Sequence, residues 1–121
     1  MLVLRRASTF PPSIRGKAAC VLSRESGGSL DRRQSGVGAR NPGSSAQGRW
    51  QFINNKWQHS LPWHVRDRLV TFGMPKAQAN KVRAFLDKRP IYKWNGWWQD
   101  IGFIETVVER DGWHHWDGPG C

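Results

Sequence analysis

Histidine and cysteine are the side chains here that could hold a metal ion. His59 and His64 have the H-x₃₋₅-H spacing of half a zinc site, but no cysteine pair precedes them. In the adjacent pair His114-His115, the two side chains point in opposite directions in most backbone conformations. Cys20 and Cys121 are too few for the disulfide framework of a small secreted protein. The sequence therefore predicts no metal site and no cofactor.

Acidic side chains gather late in the chain, where a carboxylate pair could act in acid–base catalysis. Glu105 and Glu109 would share one face of a helix, but such pairs are usually solvated surface. The chain has no G-x-S-x-G motif and no P-loop. A folded part of roughly 70 residues leaves little room for a typical cleft of about 300–1,000 Å³. The sequence therefore predicts that the protein is not an enzyme and takes no small-molecule substrate.

Basic side chains give the clearest functional signal. The net charge is +10 and the isoelectric point is ≈ 10.9, above the value of about 9 that suggests nucleic-acid binding. Residues 1–50 hold nine Lys/Arg against two acids, and residues 51–121 hold ten against seven. Basic residues in an extended polar segment can neutralise phosphates without reading base sequence. The residues predicted to contact RNA are Arg24, Arg32, Arg33, Arg40, Arg49, Lys76, Lys81, Arg83 and Lys88.

Tryptophan is the other unusual residue type. All eight tryptophans lie between Trp50 and Trp116, and a small helical core has room for only two or three indoles. Aromatic side chains with polar surroundings are enriched at protein interfaces. We therefore predict that at least three of the late tryptophans stay substantially exposed and dock on neighbouring proteins. This predicted interface consists of Trp94, Trp97, Trp98, Trp113 and Trp116.

Apolar spacing in the second half predicts three helices. A first helix over 61–72 begins after Ser60, and a second begins at Pro75 and stops at Pro90. Residues 97–109 are predicted to form the third helix, because their apolar residues recur at helical spacing. The β-branched residues in this stretch leave open the alternative of a strand that pairs with residues 113–116 as a hairpin. The predicted fold class is mainly α, a small three-helix domain, with α+β and a C-terminal hairpin as the alternative.

The first half is predicted to be a long irregular basic arm. Residues 1–22 are rich in arginine and serine and lack acids, which is typical of a mitochondrial or plastid transit peptide and resembles the mitochondrial class. Residues 23–49 are rich in Gly, Ser and Arg and have few apolar side chains to offset the entropy of ordering. We therefore expect residues 23–48 to lack regular structure and to make few contacts with a tryptophan-rich domain over 50–121. Neutral replacement of Arg32, Arg33 and Arg40 should then weaken incorporation into a parent particle and leave the fold intact.

Together these features predict a non-catalytic structural subunit of the mitochondrial ribosome, located in the matrix. The basic arm would contact rRNA and the tryptophan-rich domain would dock on neighbouring ribosomal proteins, so that the protein is an obligate member of a large hetero-complex. The alternative is an accessory subunit of a mitochondrial respiratory complex or of ATP synthase, with the tryptophans at a membrane interface. No apolar run is long enough for a transmembrane segment.

Overall fold

The secondary structure is mainly α-helical, as predicted. The computed structural model describes residues 2–118 and 120–121. Its helices and strands, in chain order, are α1 (Leu2–Ala7), α2 (Pro12–Ser26), β1 (Ala46–Gln47), β2 (Phe52–Ile53), α3 (Asn54–Trp57), α4 (Leu61–Thr71), α5 (Lys76–Asp87) and α6 (Gly96–Glu105). Helix α6 continues into a π-helical turn (Thr106–Arg110), and short 3₁₀ turns occupy Ile91–Lys93 and His114–Trp116.

Helices α4, α5 and α6 are the three helices that the apolar spacing predicts. Helix α4 packs against both α5 and α6, and α1 also packs on α4. The strand alternative for residues 97–109 is wrong. Burial is continuous from Gln99 to Val107, so this part of α6 is covered on all sides, including its polar side chains Gln99, Asp100 and Glu105. Gly102 allows this close approach, since a Cβ there would press on the Leu61 side chain of α4.

Strands β1 and β2 form an antiparallel pair that places the first tryptophan at the centre of the core. Ala46 pairs with Ile53 and Gln47 with Phe52. In the turn between them, Trp50 stacks on Phe103 of α6 with ring centroids 3.5 Å apart. Its indole N–H donates to the Asp100 carboxylate, while its carbonyl accepts from the Trp116 indole N–H.

The first fifty residues belong to the folded core. Ala7, Phe10, Val21 and Leu22 are all buried, and the Phe10 ring lies 5.9 Å from that of Trp50. A chain that lost residues 1–22 would lose these apolar contacts from its core. Residues 27–45 contain turns and isolated bridges but neither helix nor ladder strand, which agrees with the predicted irregular structure for most of residues 23–48. The prediction is wrong at the two ends of that range, where residues 23–26 belong to α2 and residues 46–47 form β1.

The expectation that residues 23–48 make few contacts with the rest of the chain is wrong, because a buried ion pair holds them in place. Arg49 and Asp100 are both fully buried and are joined at 2.8 Å. The Arg49 guanidinium also donates to the carbonyls of Ser29, Arg32 and Ser35. The polar network thus supplies the order that the few apolar side chains of the segment cannot.

Gln99 makes a second polar connection to this segment. Its side-chain oxygen accepts from the Arg49 backbone N–H, and its amide donates to the carbonyls of Val37 and Trp94. Gly48 sits against the same oxygen with φ +83°, so a side chain there would be strained and would collide with Gln99. The loop over 27–48 is therefore fixed on α6 at two adjacent positions.

A disulfide joins Cys20 on α2 to Cys121 across 101 residues of chain. Two cysteines are too few for a disulfide framework, and the sequence does not predict this single bond, because a separation of 101 residues gives no local signal. A closed loop of this length stabilises a fold by roughly 4–5 kcal/mol in the chain-entropy description, and by less where the unfolded chain retains structure. None of the helices in residues 2–118 and 120–121 has the length and apolar character required to cross a bilayer.

Candidate nucleic-acid interface

Most acidic side chains are already paired, and this determines where free positive charge remains. Eight of the 19 Lys/Arg lie within 4 Å of an acidic side chain. The other eleven have no acidic partner in the part of the chain that the structure describes. They are Arg5, Arg6, Arg32, Arg40, Lys56, Lys76, Lys81, Arg83, Lys88, Arg89 and Lys93.

Six of these eleven cations lie on α5 and the turn that follows it. We call this the basic face; it consists of Lys76, Lys81, Arg83, Lys88, Arg89 and Lys93. The only acid in that stretch is Asp87, which lies 2.7 Å from the imidazole Nδ1 of His59. The basic face therefore presents concentrated positive charge with little internal compensation.

Two exposed aromatic side chains lie beside arginines of the basic face. Trp63 is 47% exposed and Phe85 is 50% exposed. The Arg83 guanidinium lies 4.6 Å from the Trp63 ring centroid, and that of Arg89 lies 3.6 Å from the Phe85 ring centroid. Each aromatic ring is thus paired with an arginine, an arrangement that can stack a base and bind its phosphate.

The packing of α4 against α5 creates this arrangement. The two helices are antiparallel: Arg66 on α4 donates to Asn80 on α5 at 2.9 Å, and one turn back along α4 Trp63 meets Arg83 further along α5. Neither Trp63 nor Phe85 is among the binding residues that the sequence predicts. Phe85 follows buried Ala79 by six positions, which places it about 120° around the helix from Ala79, on an exposed flank of α5.

Of the predicted RNA-binding residues, three on α5, Lys88 directly after it and two in the loop are free to bind. Lys76, Lys81 and Lys88 are exposed, and Arg83 is half-buried beside Trp63. The other two, Arg32 and Arg40, are exposed in the loop over 27–45.

Three of the predicted arginines are used inside the fold instead. The prediction is wrong for Arg49, which is fully buried, and for Arg33, whose guanidinium donates to buried Asp100 at 2.9 Å. Arg24 donates to the Trp116 carbonyl and lies 3.6 Å from Glu25. The expectation that replacing Arg33 would leave the fold intact fails for the same reason.

The tryptophan prediction is also corrected. Trp94 and Trp116 are buried, and Trp97, Trp98 and Trp113 are half-buried, so none of the five is substantially exposed. The core holds more indoles than expected because α1, α2 and the loop after α2 add apolar side chains to it. Trp63, outside the predicted set, is the tryptophan with the largest exposed fraction in the described chain.

His64 is a buried titratable group below the exposed aromatic surface. Its Nδ1 lies 2.7 Å from the Thr106 hydroxyl, which itself donates to the Gly102 carbonyl, so the imidazole Nδ1–H is the donor. Burial, followed by the charge of Arg110, lowers the pKa of His64 from 6.5 to about 4. His64 is therefore neutral in the folded protein at neutral pH.

Acidification is expected to destabilise the protein through His64. Between pH 6.5 and 4 the unfolded chain binds a proton at this imidazole that the folded chain does not bind. The free energy of unfolding should therefore fall across this window, by up to about 3 kcal/mol at its acidic end. Urea denaturation at pH 7 and pH 4 measures the loss, and a His64→Gln variant should show a loss smaller by about that amount. Equal losses in the two proteins would show that His64 is not held neutral.

No protein family, curated protein or solved structure matches this chain. We therefore infer the function of the protein from its own geometry and charge. Among residues 2–118 and 120–121, no three His, Cys, Asp or Glu side chains come together as a metal site.

Proposed function

We propose that the protein is a non-catalytic, RNA-binding structural subunit of the mitochondrial ribosome, and that the basic face around Trp63 and Phe85 is its RNA contact. The observation that carries this proposal is the set of six cations without acidic partners in the described chain on α5 and the turn that follows it, two of which lie against exposed aromatic rings. The proposal moves the main contact from the loop arginines to α5, with Arg32 and Arg40 as additional phosphate contacts.

The chemistry of the basic face suits single-stranded or looped RNA. Lysine and arginine bind phosphates and release counterions, which gives affinity without base readout. Unpaired bases stack on exposed aromatic side chains, with a contribution of about 1–3 kcal/mol for each base. Arg83 and Arg89 lie against their aromatic partners, so phosphate and base contacts can form at neighbouring positions.

The assignment to the ribosome rests on the character of the whole chain. A small, strongly basic protein with a compact domain fits a subunit that is held between rRNA and neighbouring ribosomal proteins. The half-buried Trp113 is the side chain we assign to protein neighbours. The arginine-rich and serine-rich amino-terminal composition supports mitochondrial import.

The Cys20–Cys121 disulfide bears on the proposed matrix location. Disulfides persist in oxidising compartments and are rare where cellular reductants keep thiols reduced. The disulfide therefore does not support the matrix, and the proposed location rests on the amino-terminal composition alone.

The alternative, an accessory subunit of a respiratory complex or of ATP synthase, depends on an apolar docking surface. Burial of Trp94 and Trp116 reduces the tryptophan surface that would serve that role. Charge that is concentrated on α5 also suits a polyanion better than an apolar membrane interface. RNA binding is therefore the function that we put to the test.

Neutralising the basic face is expected to remove most of the RNA affinity. A Lys81→Gln/Arg83→Gln/Lys88→Gln variant should bind a fluorescein-labelled single-stranded RNA roughly 100-fold more weakly at low salt, about 1 kcal/mol for each lost contact. The slope of log K against log salt should also become shallower by roughly 2, or about 0.7 for each phosphate contact. Fluorescence anisotropy across a salt series measures both quantities.

The matched control removes the same charge elsewhere. Arg5, Arg6 and Lys56 are exposed and lack acidic partners in the described chain, and none lies on the basic face or in the loop over 27–45. An Arg5→Gln/Arg6→Gln/Lys56→Gln variant should keep at least a third of the wild-type affinity. If the control loses as much affinity as the α5 variant, the RNA contact is not localised on α5; if wild type binds no RNA, the proposed function is wrong.

A further inference from the structure

A cavity of ≈ 400 Å³ lies between α1 and the start of α6, and none of its lining residues belongs to the basic face. It is lined by Leu4, Arg5, Asn95, Trp97 and Trp98. This volume falls within the range of about 300–1,000 Å³ that is typical of small-molecule sites. Its lining combines apolar walls with a few polar groups, which is also the usual composition of such sites.

The apolar walls are suited to a flat ring. Leu4, Trp97 and Trp98 are each half-buried: part of each side chain packs against the protein, and part of it lines the cavity. The Arg33 guanidinium, which is fixed by buried Asp100, lies 4.8 Å from the Trp97 ring centroid. The Trp97 ring is therefore held in position before any ligand arrives.

The polar groups of the cavity are hydrogen-bond donors. The Asn95 side-chain oxygen accepts from the Trp97 backbone N–H and from the Gln34 side-chain amide, so the Asn95 NH₂ group remains available to donate. The Arg5 guanidinium forms neither an ion pair nor a hydrogen bond within residues 2–118 and 120–121. No acidic side chain is among the five lining residues.

We propose that this cavity binds a small ligand that consists of a planar aromatic ring with one anionic group, a carboxylate or a phosphate. The ring lies against Trp97, Trp98 and Leu4, and the anion accepts hydrogen bonds from the Arg5 guanidinium and the Asn95 amide. Arginine suits this role because its planar fork binds carboxylate and phosphate oxygens in pairs. A free aromatic acid and a mononucleotide share this chemistry.

Two acid probes and their neutral analogues test the proposal and separate the two sources. For a free aromatic acid, the acid probe is 1-naphthoic acid and its neutral analogue is 1-naphthalenemethanol. For a mononucleotide, the acid probe is adenosine 5′-monophosphate and its neutral analogue is adenosine. Isothermal calorimetry on the full chain measures affinity. The indole N–H resonances of Trp97 and Trp98, assigned with Trp97→Phe and Trp98→Phe variants, report the place of binding by NMR.

The expected result is that at least one acid binds with a millimolar or tighter dissociation constant and at least tenfold more tightly than its neutral analogue. Its largest shifts should fall on the Trp97 and Trp98 indoles. Arg5→Gln should weaken binding at least tenfold. Arg6→Gln, the neighbouring exposed arginine that does not line the cavity, should leave binding unchanged.

Binding of naphthoate alone would identify a free aromatic acid as the ligand type, and binding of the nucleotide would identify a nucleotide. The proposal is overturned if neither acid binds at millimolar concentration, or if a neutral analogue binds as tightly as its acid. It is also overturned if Arg5→Gln and Arg6→Gln weaken binding equally, since a general loss of charge would then explain the effect.

Discussion

Replacing Asp100 with alanine is expected to lower the free energy of unfolding by about 3–5 kcal/mol. The carboxylate is fully buried and accepts hydrogen bonds from Arg49, Arg33 and the Trp50 indole. Without it the Arg49 guanidinium would be a buried charge with no counterion. We expect the variant to lose the packing of residues 29–37 on α6 first, because Arg49 holds the carbonyls of that loop.

Urea denaturation of Asp100→Ala, Asp100→Asn and Asp31→Ala measures this effect. Asp31 forms an exposed ion pair with Arg15, so its replacement should change the free energy of unfolding by less than about 1 kcal/mol. Asp100→Asn should fall between the other two, because the amide keeps the shape and one acceptor oxygen. If Asp100→Ala were as stable as Asp31→Ala, the buried network would not be what orders the loop.

Replacing Gly96 with alanine is expected to destabilise the protein by about 3 kcal/mol or more. A Cβ at this first residue of α6 would overlap the backbone carbonyl of Arg33, which cannot move without disturbing the Arg33–Asp100 pair. Helix propensity alone predicts the opposite sign, a gain of up to about 1 kcal/mol for alanine over glycine. The sign of the change therefore reports whether the loop lies against α6.

Gly16→Ala is the matched control for this substitution. Gly16 lies within α2, and a Cβ there would meet nothing within 4 Å. This variant should gain about 0.5–1 kcal/mol of stability. Thermal denaturation of both variants, with hydrogen exchange of residues 29–37, distinguishes the outcomes; a Gly96→Ala protein that is more stable and equally protected would refute the packing of the loop on α6.

The helices of the second half are predictable because their signals are local. The spacing of Val65, Leu69 and Phe72 predicts α4, and Pro75 and Pro90 mark the limits of α5. The choice of helix over strand for residues 97–109 is harder, since β-branched residues favour a strand. Burial on every side of α6 decides it, and burial depends on contacts that only the whole fold supplies.

The first half is less predictable because its order comes from pairs distant in sequence. Arg49 and Asp100 are 51 residues apart, and no local pattern marks them as partners. The small number of apolar residues over 23–48 predicts a segment that does not pack on the rest of the chain. That prediction fails because it leaves out the hydrogen bonds that Arg49, a residue outside the segment, donates to the backbone carbonyls of the segment. The wrong prediction that the late tryptophans are exposed has the same cause. A core that is estimated without α1 and α2 has room for too few indoles.

The candidate site is predictable in charge but not in detail. The cations of α5 stand out in the sequence, and the structure leaves them exposed or beside exposed aromatic rings. Trp63 could have been found from its position two residues before Val65, because side chains at i and i+2 do not share a helix face. The pairing of Arg83 with Trp63 could not have been found from the sequence, because it depends on the antiparallel packing of α4 and α5.

Co-sedimentation with mitochondrial ribosomes across a salt series tests the central claim most directly. We predict that the wild-type protein travels with a ribosomal subunit on a sucrose gradient and is released as salt rises. The Lys81→Gln/Arg83→Gln/Lys88→Gln variant should be released at markedly lower salt, and the Arg5→Gln/Arg6→Gln/Lys56→Gln control should behave like wild type. A wild-type protein that follows an inner-membrane complex instead, or an α5 variant that co-sediments like wild type at every salt, would contradict the account.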